Sequence, residues 1–321
     1  MLILEGINNF MGVMEVERNL SSKTRKAYLC DLRSLQQWLC KDVEIDSITT
    51  DTIRSYLVHI SNDLHCQDTT IRRKMSVLKN FFGYLEDECI IDRSPIRKIR
   101  TRFKTQRKLP RVLTPEEVNL VLKAPLLEKQ KLNTVAKAKS TIRGKKKNEI
   151  KKNQFVRDRA IIELLFATGT RVGELVGLDV DDVNLKQGTA LVLGKGNKER
   201  IVYFCSEATK KALRDYLKIR TRIKNETKAL FLNRFDTRLS ATSIEKMFRN
   251  YRDKTGIEKN ITPHCLRHTM ATMLVSNGAD IRTVQEILGH ASISTTQIYT
   301  EVSPTRQRQI VEKYNPRNNI K

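Results

Sequence analysis

Between Thr262 and Tyr299 the chain gathers three of its five histidines, His264, His268 and His290, with Arg267 and a closing tyrosine. Each type carries its own chemistry. Imidazoles move protons or hold metals, and an arginine fork holds an anion. A phenol with an unperturbed pKa of about 10 becomes a nucleophile only when a positive field activates it. His264 and His268 stand four apart on one helix, as zinc ligands do, and His290 could be a third. Position 265 is Cys265 where a zinc protease carries its glutamate, no general base is in place, and arginines repel a cation. No metal or other cofactor is expected, and His268 reads as a packed, hydrogen-bonded histidine. Arg171 adds a second anion-binding candidate, because the pattern puts it in the first turn of a helix capped by Thr170. A cation beside free N–H groups is locally unfavourable, which marks an anion site. The alternative is a structural ion pair with Glu174.

The elements that must position these groups have legible ends. Thr262 before Pro263 starts a helix running to about Asn277, with Leu266, Met270, Met273 and Leu274 on one side and His264 and Arg267 as neighbours on another. Gly278 closes it, Asp280 caps a second helix through Leu288, and Gly289 releases His290 just past its end. Ser294 and Gln297 form a capping box for a short helix that carries Tyr299. Upstream, Phe155 to Thr168 is an apolar helix ended by Gly169. Thr189–Leu193 and Arg200–Phe204 are strands joined by Gly194-Lys195-Gly196-Asn197-Lys198-Glu199, a hairpin. A phosphate-binding loop does not fit there, since Thr189 stands where the first glycine belongs and Gly196 follows the lysine.

Pro263, His264, Arg267, His290 and Tyr299, in this order and setting, resemble the C-terminal boxes of the tyrosine recombinases, the phage-integrase family that breaks and rejoins DNA. The runs Leu288-Gly289-His290 and Ser294-Thr295-Thr296-Gln297-Ile298-Tyr299-Thr300 look most like its bacterial Xer branch. Ala167-Thr168-Gly169-Thr170-Arg171-Val172-Gly173-Glu174-Leu175 is similar to the family's first arginine box, with Thr170 in place of a commoner leucine. Cys265, between the family's histidine and arginine, faces neither required contact. By this resemblance Lys195 is the hairpin lysine that inserts at the cleavage site, with Lys198 as second choice. The implied catalytic set is Arg171, Lys195, His264, Arg267, His290 and the nucleophile Tyr299. Arg171 and Arg267 would meet the charge gathering on a phosphodiester in transit, and His264 would take the Tyr299 proton. His290 would hold a phosphate oxygen, and Lys195 would protonate the departing 5′ oxygen, leaving a 3′-phosphotyrosine. Neither metal nor ATP is then needed. The resemblance further implies a site-specific recombinase acting through a Holliday junction, with four protomers on two double-stranded DNA sites. The tail from Ser303 to Tyr314 would be exchanged between protomers, and a second recombinase or an accessory protein are further partners it allows. Integration, excision and chromosome-dimer resolution share this chemistry. The lysine-rich insertion favours a mobile element slightly.

Composition supports a polyanion partner. Lys+Arg 60 against Asp+Glu 36 gives a net charge of +24, and 321 residues with 39% hydrophobic ones suffice for two domains. No apolar run approaches the ~20 residues of a spanning helix, and Glu5 spoils a signal peptide, so a cytoplasmic protein without membrane contact is expected. Cys30, Cys40, Cys66, Cys89, Cys205 and Cys265 lack metal spacing and read as free thiols.

The expected fold class is mainly α with a small β hairpin, an α+β protein. An all-α DNA-clamping domain spans 1–100, a basic linker 101–111, and a catalytic domain 112–321 with a lysine-rich insertion at about 126–153, expected to be a mobile loop. Of four N-terminal helices, the second to the fourth carry the faces Tyr28, Leu32, Leu35, Leu39; Ile53, Leu57, Ile60; and Ile71, Met75, Leu78, Phe82, Leu85. Lys23, Arg25 and Lys26 open the second helix, and Arg72, Arg73, Lys74 and Lys79 ride on the fourth. With Arg249 and Arg252 on a later helix, these are the candidate DNA contacts. Thr114-Pro115-Glu116-Glu117 opens the catalytic domain with a capping box. Two other readings explain part of this. A helix-turn-helix regulator built on Leu266 to Leu288 accounts for the charge but not for Lys195, Arg171 and Tyr299. A type IB-like topoisomerase would share the residue types without joining two sites.

Overall fold

The computed structural model describes every residue other than 18, 19, 21, 41, 101–111, 139–141, 195–197, 224, 225, 290–303 and 321, and describes the backbone alone at 22, 23, 135–138, 142–147, 304 and 306. The chain divides into two compact units, Met1–Lys108 and Leu109–Lys321. The boundary falls within the stretch read as a linker, whose residues 101–111 lie outside the described ones.

The first unit is all helical: α1 (Ile3–Glu17), α2 (Ser22–Trp38), α3 (Thr50–Val58) and α4 (Asp68–Asp87). Thr49 caps α3 by accepting from the Thr52 N–H at 3.2 Å, and a π-helical turn, His59–Asp63, prolongs it. The core is aromatic where three helices meet, with Phe10 of α1 edge-on to Phe81 of α4 at 5.5 Å and Leu32 and Leu35 of α2 fully buried beside them.

One of the expected DNA contacts needs correction here. Lys74 is buried, its Nζ 3.4 Å from the Tyr56 hydroxyl and 3.4 Å from Asp31 Oδ1, because it lies three residues after Ile71 and four before Leu78, on the apolar stripe itself. Arg73 is half-exposed but paired with the same buried Asp31. Together these cations neutralise a carboxylate that could not otherwise sit in the core. Arg25 is paired with Glu15. Lys26, Arg72 and Lys79 are exposed. The Lys23 side chain lies outside the described residues.

The second unit is built around α6 (Ile142–Thr168), whose last turns, Ala160 to Thr168, are buried on every side. A helix apolar all round must be central, and α5 (Pro115–Ala138), α8 (Glu207–Arg220) and α10 (Pro263–Ser276) pack on it. The expected capping box opens α5: Thr114 N–H donates to Glu117 Oε2 at 2.7 Å and Glu117 N–H to Thr114 Oγ1 at 3.3 Å. A three-stranded antiparallel sheet in the order β1-β2-β3 consists of Val183–Asn184, Thr189–Leu193 and Glu199–Tyr203, with Ala190, Val192 and Val202 facing the core. Then come α7 (Val172–Gly177), which precedes the sheet, α9 (Ala241–Thr255), α11 (Ile281–Leu288) and α12 (Pro304–Tyr314).

The lysine-rich insertion is not a loop. Helix α5 runs through it to Ala138 and α6 begins at Ile142, forming a helical hairpin. Lysine, glutamate, glutamine and alanine are good helix formers, so a stretch without an apolar stripe can be helical on propensity alone. Pro125 lies within α5, and Lys254 of α9 ties Glu128 down at 2.5 Å. A further difference concerns the tail. Expected on a neighbouring protomer, α12 packs on its own chain, with Ile310 and Val311 against Tyr203 and Ile287. Beyond it, Asn315 Nδ2 donates to Ala167 O at 2.7 Å, and Arg317 forms a two-pronged pair with the buried Glu163 at 2.6 and 2.8 Å. An apolar helix face must be covered, and here the nearest cover is its own protomer. No helix among the described residues is long and apolar enough to cross a membrane.

Candidate active site

Helix α10 starts as read: Thr262 accepts from the Cys265 N–H at 3.1 Å and Pro263 takes the first helical position. His264 is therefore held at the exposed first turn, while Arg267, three residues on, is turned inward and only 6% exposed. The two share an edge of the helix but not an environment. His268 is half-buried. Arg267 donates to Gly169 O at 2.5 Å and to Leu288 O at 2.7 Å, joining the end of α6 to the end of α11. Burial, and then the neighbouring Arg171, pull its pKa down to about 10, which leaves it a full cation at neutral pH.

Glycines make this junction possible. Gly169 (φ +62°) lies where a Cβ would come within 2.7 Å of Leu288, and Gly289 (φ +65°) where a Cβ would come within 2.7 Å of Arg200 Nε. Asp280 caps α11 through the Thr283 N–H at 3.0 Å, and Gly289 ends it in left-handed geometry as expected.

Arg171 sits at the N-cap of α7 rather than in its first turn, and Thr170 is buried with its hydroxyl 3.1 Å from that of Thr168. Glu174 supplies the reciprocal bond, its Oε2 accepting from the Arg171 backbone N–H at 2.9 Å. The ion pair weighed as an alternative is present, Arg171 Nη1 to Glu174 Oε1 at 2.7 Å, yet the Arg171 side chain remains 43% exposed and its other Nη reaches Gly289 O at 3.0 Å. Arg171 and Arg267 thus converge from two helices on the backbone just before His290, with N–H groups left over for a ligand. Residues Lys195, His290 and Tyr299, and the capping box of Ser294 and Gln297, lie outside the described residues.

Sequence reading missed Arg200, whose Nη2 takes Glu174 Oε2 at 2.7 Å and whose Nη1 reaches Ile287 O at 3.3 Å. Burial lowers its pKa, against the raising effect of Glu174. Its partners are far away in sequence, so no local pattern marks it. On α9, Ile244, Met247, Phe248 and Tyr251 are buried, leaving Lys246 and Arg249 on the exposed face. Arg252 is paired with Asp253 at 2.7 Å.

Two family models match this chain, the phage integrase family over residues 127–306 and the phage integrase N-terminal SAM-like domain over 7–89. The chain belongs to the phage integrase family. It is similar to tyrosine recombinase XerD of Halalkalibacterium halodurans, 37% identical over 98% of this chain and 100% of that protein. It is also similar to tyrosine recombinase XerC of Natranaerobius thermophilus, 36% identical over 96% of this chain and 98% of that one. Among solved structures, XerH recombinase bound to difH substrate before cleavage has a TM-score of 0.62 at 24% identity, covering 94% of this chain and 82% of that one. A lambda integrase tetramer bound to a Holliday junction has 0.67 at 18%, covering 94% and 80%. The fold is that of the tyrosine recombinases, and this recombinase, of the Xer branch, is a DNA-cleaving and rejoining enzyme for site-specific recombination.

Proposed function

We propose that this recombinase cuts each strand by attack of Tyr299 on a phosphodiester clamped by Arg171 and Arg267, and rejoins it by the reverse step. The observation that carries the reading is the convergence of a buried and a half-exposed arginine on the residues directly before His290. Two planar forks spread charge over the non-bridging oxygens, where it grows as the bond breaks, so their contribution is greatest in the transition state. His264, exposed at the helix start, takes the phenol proton, His290 holds a phosphate oxygen, and Lys195 protonates the leaving 5′ oxygen. The energy of the broken bond is kept in the 3′-phosphotyrosine, and a partner strand's 5′-hydroxyl releases it.

The unit Met1–Lys108 serves as a DNA clamp through Lys26, Arg72 and Lys79, and α9 adds Arg249. Four protomers hold two sites and pass through a Holliday junction, with α12 moving to a neighbour on assembly. The partners this reading allows include a second recombinase or an accessory protein, and the setting is the cytoplasm.

The deciding experiment is Tyr299→Phe on a nicked duplex whose leaving fragment diffuses away. The parent accumulates a covalent adduct in chelator and the variant none, while both bind the site. An adduct formed by the variant would move the nucleophile elsewhere, with Tyr314 next to test. Arg171→Ala lowers the cleavage rate by ~10²–10³-fold with near-normal binding.

A further inference from the structure

The last carbonyls of α11 and its cap are each held by a different arginine. Ile287 O takes Arg200 at 3.3 Å, Leu288 O takes Arg267 at 2.7 Å, and Gly289 O takes Arg171 at 3.0 Å. These carbonyls have no partner within the helix and form the negative end of its dipole. The only carboxylate bonded to any of these guanidinium groups, among the described residues, is Glu174, whose side chain is 4% exposed. Its two oxygens are divided: Oε1 faces Arg171, and Oε2 faces Arg200 and the Arg171 backbone. Arg200 is the inner cation, with its side chain 18% exposed against 43% for Arg171.

That division has a chemical effect. A carboxylate left with a single arginine draws it into a two-pronged grip, both oxygens against both Nη groups. Arg171 would then turn its fork onto Glu174 and away from any phosphate. With Oε2 already occupied, Arg171 can give Glu174 only one Nη, and the other stays directed at the α11 end.

We propose that Arg200 is a positioning residue for strand cleavage, which by occupying the second oxygen of Glu174 and bracing the end of α11 keeps the Arg171 fork open toward the scissile phosphate. This rests on the reading of Arg171 as a phosphate ligand. Arg200 touches no reacting atom and acts through Glu174.

The test measures single-turnover adduct formation on the nicked duplex, with DNA affinity alongside, for Arg200→Ala, Arg200→Lys, the double variant Arg200→Ala/Glu174→Gln, and Arg171→Ala. Arg200→Ala should bind DNA as the parent does and cleave about tenfold or more slower, since it misdirects one preorganised donor without removing it. Arg200→Lys, which keeps one donor for Oε2, should recover part of that loss. The double variant should cleave faster than Arg200→Ala, because a neutral amide no longer pulls Arg171 in. A merely structural role predicts the opposite order, the double variant being slower still. Parental cleavage by Arg200→Ala, or no gain in the double variant, overturns the proposal. If Arg200→Ala fails to fold, Arg200→Lys decides: slower cleavage at unchanged affinity supports the proposal and parental cleavage overturns it. Arg171→Ala separates the two levels. If it cleaves normally the phosphate-ligand reading itself fails, whereas a slow Arg171→Ala beside a normal Arg200→Ala sinks only this inference.

Discussion

Among the described residues, each buried carboxylate, Asp31, Asp158, Glu163 and Glu174, is met by an arginine, and single residues test that. Glu163, 2% exposed, is met by both Nη and Nε donors of Arg317 and by the Thr209 hydroxyl at 3.2 Å. Removing the cation leaves a carboxylate stranded in the core, so Arg317→Ala should lose about 3–5 kcal/mol of stability. Urea unfolding would show this as a lower midpoint with an unchanged slope. Thiols offer a second test. Burial, and then Glu312, push the Cys205 thiol up to about 11, so it stays protonated at pH 8, whereas Cys30, Cys40 and Cys89 are exposed. A maleimide at pH 8 should label those three first and reach Cys205 only above its pKa or on unfolding, as mass spectrometry of digests would record. At this scale the sequence was readable where spacing alone decides. His264 and Arg267 follow from Thr262 and Pro263, and Lys74 could have been recognised as buried from its place between Ile71 and Leu78. Arg200 could not, since its partners Glu174 and Ile287 are brought to it only by tertiary packing.

The elements were legible by their ends more than by their interiors. Caps at Thr114, Thr262 and Asp280, and glycine stops at Gly169 and Gly289, stand within a residue or so of the positions read, because capping is a local bond between near neighbours. The α5–α6 hairpin escaped detection because periodicity reports an apolar face, and its far part has none. From Leu126 to Phe155 no described side chain is buried. Replacing residues 131–150 by a short turn should therefore leave a single cooperative melting transition within a few degrees of the parent's, since surface changes away from packed features are typically worth about 0.5 kcal/mol or less. The same deletion should reduce the salt dependence of DNA binding if the hairpin lysines meet phosphates. Loss of cooperativity on heating would show that the hairpin supports the core.

For the molecule as a whole, a net charge of +24 implies binding dominated by counterion release. The logarithm of affinity should fall against the logarithm of salt with a slope of ~0.9 per phosphate neutralised, measured by fluorescence anisotropy between low and physiological salt. A slope near zero would rule out the clamp. One further consequence comes from the docked tail. Two elements that flank Tyr299 in the sequence are held by the same unit: Gly289 at the arginine-bound end of α11, and α12, whose far side is fastened through Asn315 and Arg317. On the proposal that Tyr299 is the nucleophile, its effective concentration at the arginines depends on both of these attachments. Closure entropy grows only with the logarithm of length, so a few inserted residues would change that concentration little. Cutting the chain after Tyr314 would loosen the second anchor and should dilute the nucleophile at once. Should α12 dock on a neighbour instead, the second attachment would be to another molecule, and the concentration of Tyr299 at its own arginines would depend on whether the assembly had formed.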